Sequence, residues 1–231
     1  MEQNSVGAAP DAGFPIVVVV HGLWMPARGS TLLLRRRLEA AGFHTLAFAY
    51  PSVTAGLDEN TERLAEWVVE RPEQRIDFVG HSLGGVITVR MLQHYPLGPR
   101  LGRVVCLGSP LTACRGGALL LKHRWGSALA GRSITDLVQA GGLGCWQGAC
   151  ELGILAGDFA LGFGRLLRGL PLPNDGTVTV EETRLPGADA HRVLHVTHLG
   201  LLASRQVAAE TACFLRTGRF RAQEPASEAS S

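Results

Sequence analysis

Neither sign of charge dominates this chain. Its 22 lysine and arginine side chains face 20 aspartates and glutamates, a formal net charge of +2 over 231 residues. These charges are spread along the sequence, so no basic stripe exists to follow a phosphate backbone, and nucleic acid is excluded as a partner class. Long apolar runs are also missing. Segments such as residues 14–20 and 117–121 fall far short of the roughly 20 residues that carry a helix across a bilayer, so no transmembrane span is expected. Residues 1–13 lack the basic start, apolar stretch and small-residue cleavage site of a secretory signal, which predicts a flexible N-terminal segment on a cytoplasmic protein. Cysteine is sparse: Cys106, Cys114, Cys145, Cys150 and Cys213 are odd in number and share no repeated short spacing, so reduced thiols are expected. Cys145 and Cys150 enclose four residues without a second pair, an argument against a metal site. There is no internal repeat.

What the chain does have is apolar content, 46% hydrophobic residues against 18% charged, in a length that suits one large domain with a buried sheet. Residues 15–20, Pro15 followed by the β-branched Ile16 and four valines, have the pattern of a strand buried on both faces. A helix is expected from Ser30 through Ala41, with Leu34 and Leu38 four apart and Gly42 placed to end it. A strand at 44–49, a helix at 60–70 stopped by Pro72, a strand at 76–79, a helix ending near His94 and a strand at 104–107 follow. This alternation demands crossover connections. It predicts an α/β domain over residues 14–217, with a mostly parallel sheet covered by helices on both faces and its ligand site at the carboxyl ends of the strands. Between 110 and 149 glycines interrupt the apolar clusters, and this stretch is read as a small helical cap insertion. Strands at 152–156 and 193–196 and a closing helix at 201–215 complete the domain, and residues 218–231 read as a disordered tail.

The chemistry is concentrated in two short motifs. Gly80-His81-Ser82-Leu83-Gly84 matches G-x-S-x-G and stands between an expected strand and an expected helix. Glycines on either side allow a sharp turn to push the Ser82 hydroxyl out over the sheet edge, and the following helix offers its positive end, with the Leu83 amide directed at a developing oxyanion. A plainer reading makes Ser82 a helix N-cap in a glycine-rich turn that holds a phosphate on its N–H groups. The sequence has neither G-x-G-x-x-G here nor the lysine of a P-loop, which disfavours a nucleotide. His21-Gly22-Leu23-Trp24 directly follows the first strand, where acyl transfer needs a second N–H; Leu23 is the expected donor and Trp24 a pocket wall, with His81 beside the elbow as a further substrate contact. Alternatively, His21-Gly22 only ends a strand.

Together these residues resemble the α/β-hydrolases, and more narrowly the small bacterial lipase and esterase-like members, over about residues 15–215. The resemblance implies an α/β-hydrolase fold, no cofactor or metal, and a Ser…Asp…His order, with the acid after the penultimate strand and the histidine after the last. His198, outside the last strand and next to a glycine, is similar to the family's base, whereas His195 falls within the strand's alternation. Asp175, in the turn Asn174-Asp175-Gly176, is similar to the family's acid, although Asp-Gly is also a common turn pair and Asp158 competes for the role. The implied activity is cleavage of a small-molecule or lipid-like carboxylic ester through an acyl-enzyme. A thioesterase or acyltransferase using the same triad, and a non-catalytic binding protein of the same fold, are the alternatives. Leucines 119, 120, 121, 129 and 137 in the cap suit an apolar acyl chain, or serve only to bury the cap. An apolar cap permits contact with a lipid surface without requiring it, and nothing in the pattern specifies an oligomer.

Overall fold

A computed structural model describes residues 15–25, 27–161 and 169–222. The expected N-terminal segment 1–13, and the expected tail from residue 223 onward, lie outside the described residues.

Six strands form one sheet: β1 (Ile16–Val20), β2 (His44–Phe48), β3 (Ile76–His81), β4 (Leu101–Leu107), β5 (Leu152–Gly157) and β6 (Ala190–Leu194), in the order β2-β1-β3-β4-β5-β6. All five pairings are parallel. The helices are α1 (Ala27–Ser30), α2 (Leu32–Ala40), α3 (Leu57–Val69), α4 (Leu83–His94), α5 (Arg115–Leu121), α6 (Gly126–Ala140), α7 (Gly200–Ala203) and α8 (Arg205–Thr217). One core lies between a sheet face carrying Val18, Phe78 and Ile154 and helices α3 to α6; the other lies between Val17, Val79 and Leu155 and helices α2, α7 and α8. Strands covered on both faces must be apolar on both, which is why β1, β3 and β5 are buried at every residue.

The strand order explains where a site can form. From β1 the chain goes to β2 on one side and then to β3 on the other, so the connections after β1 and β3 diverge and leave a crevice at the carboxyl ends of two adjacent strands. The register Val20↔Gly80 brings those two ends level. Both sequence motifs therefore open onto the same crevice.

Most elements stand where the pattern puts them, and the differences have local causes. Helix α3 starts at Leu57 rather than Asn60, because its free N-terminal amide is capped from another element: Leu57 N–H donates to Asp136 Oδ2 of α6 at 2.8 Å. Strand β6 ends at Leu194, not Val196, because Val196 N–H turns back onto the Leu194 carbonyl at 2.8 Å. His195 thus lies beyond the strand. The expected closing helix is two, α7 and α8, with Ser204 between them capping the second through Val207 N–H. The start of the expected tail is ordered: Phe220 packs on Phe214, and Arg221 N–H donates to Glu210. An aromatic and a backbone donor with a buried acceptor outweigh the polar composition around them.

Among the described residues no helix is long and apolar enough to cross a membrane. The five cysteines are free thiols. No group of three or more metal-ligating side chains occurs among the described residues.

Candidate active site

Ser82 is the N-cap of α4 and has φ 53°, ψ −123°, a conformation that an L-residue holds only when its surroundings force it. The forcing is steric. A Cβ on Gly80 would run into the Gly85 backbone, one on Gly84 into the Val20 and His21 carbonyls, and one on Gly85 into Ser109 Oγ, so the turn packs against β1 and the end of β4. Ser82 N–H is tied to the Leu107 carbonyl at 2.9 Å. Leu83 opens α4, where its N–H has no acceptor within the helix.

The loop after β1 is braced from below. His21 Nδ1–H donates to the Gly22 carbonyl at 2.7 Å, its ring stacks on Tyr50 at 4.3 Å, and the Tyr50 hydroxyl donates to the His21 carbonyl at 2.7 Å. Burial holds His21 below the usual histidine value, so the ring is neutral. Trp24 has φ 58°, and its N–H donates to Ser52 Oγ at 3.2 Å, which leaves Leu23 as the loop's candidate donor toward the crevice.

Asp175 and His198 meet. His198 Nδ1–H donates to Asp175 Oδ2 at 2.7 Å, while Asp175 Oδ1 accepts from the Thr177 and Val178 N–H groups at 2.9 and 2.7 Å. The His198 N–H donates to the Asp175 carbonyl at 2.8 Å. The carboxylate, 1% exposed, therefore has both oxygens engaged and fixes the imidazole tautomer with the proton on Nδ1. The competing residues pair with each other: His195 Nδ1 contacts Asp158 Oδ1 at 2.9 Å on the exposed side, against Phe159.

A cavity of about 320 Å³ joins these parts. Its wall includes Ser82, His198, Leu23, Trp24 and His81, and the helices over it contribute Cys114, Gly116, Gly117, Leu120 and Ile134. Trp24, Leu161 and Leu199 stand exposed at its rim. Ser82 Oγ and the His198 ring share this cavity without a hydrogen bond between them among the described contacts, an open arrangement of the kind that substrate tightens in acid–base sites. His81 lines the wall but is only 1% exposed.

Three further features of the site stand outside the two sequence motifs. Glu182, 1% exposed, accepts from the Arg115 N–H at the start of α5 and from Thr179 N–H and Oγ1 at 2.9 and 2.6 Å, bolting the helix above the cavity to the loop that carries Asp175. Cys114 faces the cavity with its thiol pushed up to about 12, by burial first, and so protonated and unreactive at neutral pH. Gly108, directly after β4, has φ 55°, and a Cβ there would lie 3.0 Å from Asp175 Oδ2 and 3.3 Å from His198 Nδ1. Of the three, only Gly108 was within reach of sequence reasoning, as a glycine at a strand's carboxyl end.

A doubly covered parallel sheet with a serine elbow at its switch point, and a histidine–aspartate pair delivered from later strands, defines the α/β-hydrolase architecture. The model of the alpha/beta hydrolase family matches residues 17–211, and the chain belongs to that family. Among solved structures it is similar to the mature lipase BlEst2 of Bacillus licheniformis, at 20% identity and a TM-score of 0.70, with 92% of this chain and 95% of that one covered. It is also similar to the metagenomic carboxyl esterase MGS0156, at 19% identity and a TM-score of 0.62, covering 89% and 75% of the two chains. A pyrethroid hydrolase from Sphingobium faniae JZ-2 aligns at 15% identity and a TM-score of 0.61, over 89% and 98%. No curated protein matches the sequence.

Proposed function

We propose that this protein hydrolyses carboxylic esters through an acyl-enzyme on Ser82. The observation that carries the reading is the buried 2.7 Å His198–Asp175 bond, which presents the far side of the imidazole to the same cavity as a strained, outward-turned serine. His198 Nε2 takes the Ser82 proton as Oγ attacks the ester carbonyl, and Asp175 stabilises the resulting imidazolium without taking the proton itself. The Leu23 and Leu83 N–H groups receive the oxyanion. Collapse of the tetrahedral adduct breaks the bond to the leaving oxygen, which takes its proton from His198; water, deprotonated by the same nitrogen, then releases the acid and restores Ser82. No metal or cofactor enters this sequence.

The substrate is an ester with an apolar acyl part. That choice is supported by the apolar wall of the cavity, and helices α5 and α6 serve as the cap over it. The structural neighbours named above, a lipase, a carboxyl esterase and a pyrethroid hydrolase, agree with an ester-directed reading.

A fluorophosphonate probe tests the proposal together with p-nitrophenyl esters of increasing acyl length. Stoichiometric labelling of the native protein, its absence in Ser82→Ala, and turnover of at least one ester are expected. A folded native protein that neither labels nor turns over any ester would overturn it.

A further inference from the structure

The nucleophile and its base come from strands separated by β4 and β5, three strand spacings or about 14 Å apart, so something must hold the two loops in register. Asp175 does not do this. It fixes His198 through the ring and through the backbone N–H, but Asp175 sits on the same side of the sheet order as His198, and the two would shift as one body relative to Ser82. One described hydrogen bond joins the elbow directly to that body: His81 Nε2 to the His198 carbonyl, 3.0 Å.

We propose that His81 is a positioning residue that latches the loop of the base to the nucleophile elbow, through donation of its Nε2–H to the backbone carbonyl of His198. The inference rests on the Ser82 and His198 assignments above. A carbonyl only accepts, so the His81 proton must be on Nε2, and Nδ1 is left as an acceptor. That Nδ1 is buried without a partner among the described residues. Buried polar atoms are rarely left so, and an imidazole kept here at that cost is kept for its other nitrogen. Being the chain neighbour of Ser82, His81 transmits any movement of the elbow to the carbonyl it holds. With Nδ1 on Asp175, N–H on the Asp175 carbonyl and C=O on His81, every polar atom of His198 is engaged except Nε2, the one the reaction uses.

The latch also has to be uncharged. Its ring centroid is 4.7 Å from that of His198, where a second positive charge would oppose the imidazolium formed during attack. Burial first, and the nearby His198 next, pull His81 down to about 3, so the ring is neutral wherever an ester hydrolase of this type works.

The test compares His81→Leu, which removes the donor, with His81→Gln, whose amide nitrogen reaches the position of Nε2. The leucine variant is expected to lose about 10- to 100-fold in kcat with KM unchanged, the scale of a base displaced by a fraction of an ångström to one ångström, and the glutamine variant to recover to within about threefold of the native protein. Two outcomes overturn the latch: both variants at native kcat, or both equally slow with native unfolding midpoints, since then restoring the donor restores nothing. If the leucine variant does not fold, histidine nitrogen NMR on the native chain decides the matter. A His81 ring protonated at Nε2 supports the latch, and one protonated at Nδ1 overturns it. The NMR readout does not depend on activity, whereas native activity in Ser82→Ala would remove the proposed function and leave the hydrogen bond standing.

Discussion

Two histidines three residues apart, His195 and His198, each pair with an aspartate at the same end of the sheet. In His198–Asp175 the side chains are 12% and 1% exposed and 2.7 Å apart; in His195–Asp158 they are 76% and 35% exposed and 2.9 Å apart. By distance alone they are equivalent. They differ in what surrounds them: the first has backbone donors on its carboxylate and faces the cavity that holds Ser82, whereas the second is largely exposed, with Phe159 against its ring, and solvent screens the pair. Enclosure and the third group it faces, not the contact itself, single out His198–Asp175 as the candidate catalytic pair.

The contrast breaks if the wrong residues carry the activity. The largest effect belongs to Ser82→Ala, which is expected to lower kcat by about a millionfold, to the level of background, in ester assays on folded protein. Asp175→Asn keeps the shape but offers the imidazole the wrong partner, and kcat should fall by about ten-thousandfold. Gly108→Ala sharpens the comparison, because at a positive φ it adds a methyl that meets Leu201 Cδ1 first and then Asp175 Oδ2 and His198 Nδ1 of the buried pair; a drop of about a hundredfold in kcat is expected, with the exposed pair untouched.

Enclosure also sets an acid limit on stability. Burial lowers His81 to about 3 and His191 to about 4, from an ordinary value of 6.5, so between these values the unfolded chain binds protons that the folded chain refuses. The stability they contribute is complete above pH 6.5 and is lost as pH falls toward about 4 for His191 and about 3 for His81. Urea midpoints should decline over that window, less steeply in His81→Gln. The smallest effects belong to Asp158→Asn and His195→Ala. Each should leave kcat within about twofold and stability within about 1 kcal/mol in urea titrations, and a thousandfold loss in either would reverse the assignment of the two pairs.

Much of the architecture was legible because strands buried on both faces and helices with one apolar face leave different periodicities, and because the elbow's glycines are required where the chain touches itself. Ser82 and the loop at Gly22 were readable for the same reason: each motif adjoins its strand in sequence. The His198–Asp175 contact spans 23 residues and was reached through family resemblance rather than pattern. His195 was misplaced within β6 because Val193 to Val196 alternate as a strand would, while a backbone turn that no side chain announces ends the strand at Leu194. Glu182 was invisible for another reason: a carboxylate in the run Val180-Glu181-Glu182-Thr183 reads as solvated surface until the fold brings the amide of Arg115 to it.

The kink in α6 bears on how a substrate enters. At Gly131 the helix presses onto Val53, and around that point Arg132 N–H donates to the Val53 carbonyl, Ser133 Oγ–H to the Ala55 carbonyl, Asn60 Nδ2–H to Ser133 Oγ, and Leu57 N–H to Asp136. Four such bonds, at about 1 kcal/mol each, make lifting this side of the roof a rare event, populated about once in a thousand molecules. Entry is then expected beside the exposed side chains of Trp24, Leu161 and Leu199, on the cavity's other flank, rather than by lifting α6.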